Sequence, residues 1–110
     1  MNISSEERLD IHFITVNGKV ESFGVCYELL FEGTWRPLKR CDNSHDTLPP
    51  HCHIYGFKRG GTVEDESLRV NLPEGEPGKL LTQVIADLKR NRVTILEGFK
   101  SSYERDRKNN

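Results

Sequence analysis

The sequence predicts an α+β domain: an antiparallel sheet of about four to five strands packed by one C-terminal amphipathic helix. Three observations carry this. Asn17-Gly18 lies between two segments in which apolar and polar residues alternate. The stretch Pro73 to Gly78, PEGEPG, then breaks the alternation. Beyond it the apolar residues recur with a helical period.

Asn-Gly favours the type I′ turn because both residues tolerate positive φ. The flanking segments, Leu9–Val16 and Val20–Phe31, are rich in β-branched and aromatic residues. In the first, Leu9, Ile11 and Phe13 alternate with Asp10 and His12; in the second, Phe23, Val25, Tyr27, Leu29 and Phe31 share one parity against Ser22, Gly24, Cys26 and Glu28. Side chains two apart point to one face of a strand, so these read as a half-buried hairpin. Glu32-Gly33 reads as a second reversal into a third strand, Thr34–Arg40. Pro37 has no N–H for a ladder, which makes that strand an edge or a bulged one. The loop from Asn43 to Pro50 leads to a fourth strand, His51 to Phe57. Arg59-Gly60-Gly61 turns again, and Leu68, Val70 and Leu72 fit a short fifth strand. Lys79 to Asn91 carries one apolar stripe, Leu80, Leu81, Val84, Ile85 and Leu88, which should lie on the sheet. Val93 to Phe99 fits either a continued helix or a further strand, and residues 101–110, SSYERDRKNN, read as a polar C-terminal tail.

Composition narrows the class. A chain of 110 residues holds one domain, read here as residues 1–100. With 35% apolar residues the core must be thin, so cover from a partner or a second copy is expected. Sixteen basic against 17 acidic residues exclude a body that clamps nucleic acid by charge alone. A local basic patch is compatible with that balance. No long apolar run is present, so neither a membrane span nor a secretory signal is expected. Cys26, Cys41 and Cys52 are accordingly expected as reduced thiols of a cytoplasmic protein. Cys26 suits a small core residue, whereas Cys41 and Cys52 flank the loop where oxidation or metal ligation would be of use.

The chemistry is concentrated between Arg40 and His53. Arg40, Asp42, His45, Asp46, His51 and His53 fall within this window, including three of the four histidines. His51 and His53 share a strand face with Cys52 opposite. If the third and fourth strands pair, the loop returns His45 and Asp42 toward His51. Such a cluster supports three readings. It could hold a metal, because two same-face histidines with a nearby carboxylate or third histidine match common zinc or iron ligand sets. It could transfer protons, because imidazole titrates near neutrality; two histidines and Arg40 would suffice for metal-free RNA cleavage. It could bind an anion without chemistry, through Arg36, Lys39, Arg40, Lys58 and Arg59, with Trp35 and Tyr55 as stacking surfaces. Against all three stands the plain reading in which Asp42, Asn43 and Ser44 shape a turn and the histidines line a solvated sheet face. The residues name no metal and no cofactor. His12 reads as a surface or packing residue, Gly60-Gly61 as a turn without the context of a phosphate loop, and Arg105 to Lys108 as a solvated run.

The run W-R-P-L-K-R-C-D-N-S-H-D followed by P-P-H-C-H-I-Y resembles the R-x-D … H-x-H segment of TumE-type toxin components of toxin–antitoxin pairs. The resemblance spans roughly Val25 to Phe57 and the closing amphipathic helix. It implies that Arg40, Asp42, His51 and His53 form the polar motif, with His45 as a matching loop histidine. The expected function is then a toxin-like module acting on RNA or nucleotides. His51 and His53 would be its acid–base pair or metal ligands, Asp42 would orient a histidine, and Arg40 would contact phosphate. A cognate antitoxin-like protein, or a second copy, would cover the exposed sheet. The rival is a non-catalytic inhibitor, adaptor or antitoxin-like partner, for which the acidic residues Glu64, Asp65, Glu66, Glu74 and Glu76 would matter more than the histidines.

Overall fold

The computed structural model describes residues 1–43, 49–58 and 60–109. Among the described residues, five antiparallel strands follow one another as a meander: β1 (Glu7–Val16), β2 (Lys19–Phe31), β3 (Thr34–Asp42), β4 (His51–Lys58) and β5 (Gly61–Asn71). One helix, α1 (Pro77–Asn109), completes the α+β fold.

Local chemistry explains the reversals. Asn17 and Gly18 have φ of 53° and 79°, and Glu32 and Gly33 repeat the pattern at 52° and 75°. Both tight hairpins therefore use the left-handed pair that matches the twist of the strands. In β2, Phe23, Val25, Tyr27 and Leu29 are buried, as their parity requires, and Leu9 of β1 joins them. The alternation loses its grip toward the end of β1, where Phe13, Ile14 and Val16 are 56%, 63% and 49% exposed. The physical reason lies in α1, which crosses the central strands β2, β3 and β4 and leaves the far end of β1 uncovered. Leu68 and Val70 of β5 are likewise exposed; of the expected apolar set only Leu72 packs against the core.

The helix is longer than its first apolar stripe. Glu76 caps it, its carboxylate accepting the N–H groups of Gly78 and Lys79 at 3.0 and 3.1 Å, and Pro77 opens the first turn. Leu80, Leu81, Val84 and Leu88 are buried, and the segment from Val93 to Phe99 continues the helix. So do residues 101–109, read from sequence as a tail. Their polarity hides a packing role. Tyr103 stacks edge-on with Phe31 and Phe57, while the Ser102 hydroxyl accepts the Phe57 N–H at 2.7 Å and donates to the Phe57 carbonyl at 3.2 Å. Gly56 permits this approach, because a Cβ there would stand 2.7 Å from Ser102 Oγ. At 1.5 Å per residue a helix of 33 residues is roughly 50 Å long, the length of the whole molecule.

A three-sided tie fixes the start of β1. The hydroxyl of fully buried Tyr27 donates to Glu7 at 2.5 Å, and Arg92 of α1 reaches the same carboxylate at 3.4 Å. Cys41 and Cys52 face each other in the β3–β4 ladder on the helix side and are joined as a disulfide; Cys26 is the free thiol. The expectation of three reduced thiols is corrected by that register, which sets two cysteine Cβ atoms directly opposite one another.

Candidate functional site on the open face of the sheet

The helix covers one face of the sheet, and the residues of opposite parity build the other. Ladder register aligns them in rows: His12, Gly24, Asp42 and His51 across β1 to β4, and beside them Asp10, Cys26, Arg40 and His53. The structure thus brings Arg40, Asp42, His51 and His53 together on adjacent strands, away from the core. His45 and Asp46, and Arg59 from the basic set, lie outside the described residues.

The two histidines are tightly held. His51 is 3% exposed, and its Nδ1–H donates to the Pro49 carbonyl at 2.8 Å. His53 Nδ1 pairs with the carboxylate of Glu64, which also receives Arg69 at 3.1 Å. Their Nε2 atoms face each other at 3.0 Å, with ring centres 4.6 Å apart. The Glu64 carboxyl is held below its ordinary range, first by the bond from His53 and further by Arg69. A bulge makes this possible: Cys52 pairs with Val70 and Ile54 with Asp65, so residues 66–69 loop out opposite His53 and bring Arg69 back onto Glu64.

Glu64 is the functional residue that the sequence reading placed elsewhere, in a rival acidic surface. The carboxylate expected to orient a histidine was that of Asp42; the one on His53 is that of Glu64. Asp42 is 6% exposed and sits opposite His51 in the ladder. Glu76, from the same acidic set, is occupied in capping α1.

Arg40 is exposed at the centre of the open face. It borders two adjoining depressions. One of about 580 Å³ is lined by His12, Ile14, Ser22 and Asp42, and one of about 210 Å³ by Asp10, Cys26, Glu28 and Tyr55; both include His12, Gly24 and Arg40. Gly24 deepens the floor by having no side chain. The histidine pair stands one strand further on. Tyr55 thus belongs to the site, where burial first, and then the neighbouring Cys26, pushes its hydroxyl above the ordinary range. The Cys26 thiol is pushed up to about 12, chiefly by burial, and stays protonated.

Two expected contributors are elsewhere. Arg36 lies over Phe57 and Phe31 at 5.2 and 5.8 Å and donates to the Phe31 carbonyl, on the helix side. A bulge in β3, between its pairings with Tyr27 and Glu28, inverts parity at Leu38 and separates Arg36 from Arg40. Trp35 is on the far end of the open face under the Arg8 guanidinium, 4.1 Å from its ring centre.

A family model described as Domain of unknown function (DUF7718) matches residues 1–109. The chain belongs to this family. No characterised protein and no solved structure matches it. Among the described residues of this DUF7718 domain, no helix is long and apolar enough to cross a membrane, and no three His, Cys, Asp or Glu side chains converge as a metal cluster.

Proposed function

We propose that the open sheet face binds a phosphate-bearing ligand, RNA or a nucleotide, and that the domain acts as a toxin-like module of a cytoplasmic toxin–antitoxin pair. The observation that carries this reading is the adjacency of exposed Arg40 to His53 across the β3–β4 ladder, beside an open depression. Arg40 takes the phosphate through its guanidinium fork. His53 stands beside it, with Glu64 and His51 fixing its ring, and the pair supplies the chemistry of phosphoester cleavage. Tyr55 offers an aromatic surface at the edge of the depression. Asp10, Glu28 and Asp42 share the face, so affinity depends on few phosphate contacts. The logarithm of the binding constant should fall with that of salt by about 0.7 per contact.

Phe13, Ile14 and Val16 give a cognate antitoxin-like protein an apolar landing strip at the uncovered end of β1. The same strip favours the second reading, a non-catalytic module that works by binding a protein. Expression of the wild type, Arg40→Ala and a His51→Ala/His53→Ala double variant separates the two. Growth arrest with RNA loss in the wild type alone supports the toxin-like reading. Equal and harmless behaviour of all three overturns it in favour of the binding module.

A further inference from the structure

The path of α1 leaves a gap on the helix side of the sheet. The helix packs on β2, β3 and β4 and hardly touches β5. Between α1 and the β4–β5 side of the sheet lies a cavity of about 470 Å³, within the roughly 300–1,000 Å³ of pockets that take small molecules. Leu38, Ile54, Ile95 and Phe99 wall it, and Leu68 of β5, 49% exposed, flanks it. Its lining follows α1 from Asn91 to Arg105, roughly four helical turns, so the volume is drawn out into a groove.

Two features point to a ligand. Gly98 borders the groove from inside the helix, where glycine is the least favourable residue after proline. Close packing does not require it, because a Cβ there would meet no atom within 4 Å. Its effect is to keep the groove open. Half-buried Lys39 of β3 and exposed Arg105 of α1 also border the groove, and neither has a hydrogen-bond or ion-pair partner among the described residues. Asp65, on the same lining, already has a partner of its own. Apolar walls beside unpaired cations suit an apolar body with an anionic head, and a long groove suits a linear body. We propose that this groove binds a fatty-acid-like carboxylate. The alkyl chain lies against Ile54, Leu68 and Ile95, and the head pairs with Lys39, where partial burial makes an ion pair stronger than at exposed Arg105.

This site is separate from the Arg40 face and is tested without nucleic acid. The full chain is titrated with octanoate, decanoate and dodecanoate, each below its micellar concentration, and with dodecanol, and followed by amide ¹⁵N spectroscopy. One equivalent of dodecanoate should bind saturably and shift Ile54, Ile95 and Gly98. Affinity should rise by up to roughly fourfold per added methylene, the equivalent of about 0.8 kcal/mol. Gly98→Leu fills the groove and should weaken binding about tenfold or more, with the fold kept because leucine is the better helix former. Lys39→Gln should weaken dodecanoate severalfold and leave dodecanol unchanged; equal losses for both would overturn the assigned head contact. Absence of saturable binding overturns the proposal, including the case in which a second copy fills the groove and Gly98→Leu disperses the dimer. Uptake of many equivalents, or undiminished binding in Gly98→Leu, does so too. RNA affinity at Arg40 should be the same in Gly98→Leu as in the wild type, so either reading can fail without the other.

Discussion

The two faces of this sheet are made by alternate residues of the same strands, yet they do different work. The helix face is a dry layer of Val25, Tyr27, Leu38, Leu88 and Phe99, with the Cys41–Cys52 bridge among them. Burying one large apolar side chain contributes about 1.5–3 kcal/mol, so a few such positions carry most of the stability. On the open face, polar groups are paired or solvated and few apolar contacts are made. The difference teaches that in a thin domain stability can be assigned to one parity, leaving the other free to carry polar chemistry.

Substitutions should reveal that division in order of size. Phe99→Ala removes the ring against which Phe31 and Phe57 stack at 5.6 and 6.1 Å, and should destabilise the domain by about 3–5 kcal/mol in chemical denaturation. Reducing the Cys41–Cys52 bridge, which closes a sequence separation of 11, should cost about 2–3 kcal/mol by releasing the unfolded chain. Arg40→Ala, at an exposed open-face position, should shift stability by no more than about 0.5 kcal/mol, although it is proposed to remove phosphate binding. A loss of several kcal/mol there would break the comparison.

A pH prediction sharpens it at the sheet's edge. Glu7 is held below its ordinary value near 4.5, first by the Tyr27 hydroxyl and also by Ser4 and Arg92. A depressed carboxylate stabilises the fold fully above pH 4.5, and this contribution is lost as pH falls through the lower folded-state value. Thermal unfolding should show that acid decline in the wild type and a flatter profile in Glu7→Gln.

Much of this was legible in the sequence, because it follows from local rules. Asn17-Gly18 and the parity of Phe23 to Leu29 specify the hairpin, and His51-x-His53 must share a face whatever the strand pairs with. The rest depends on register over long separations. Arg36 and Arg40 have matching parity in sequence, and only the bulge at Leu38 parts them. Glu64 meets His53 because the β4–β5 register sets it opposite Tyr55, the next residue on the face that His53 shares. Cys41 and Cys52 become partners through the β3–β4 register, not through their spacing. Ser102 and Tyr103 look like tail residues until Gly56 lets the helix close on the sheet. His45 is outside the described residues, so its expected place beside His51 stays a reading of the sequence.

The most direct test of the division is an amide ¹⁵N titration of the oxidised domain with a short single-stranded RNA. The account predicts shifts at Gly24, Cys26, Arg40, Asp42 and His53, weakening with salt, and silence at Val84, Leu88 and Phe99. Shifts confined to Phe13, Ile14 and Val16, or none at all, would contradict it.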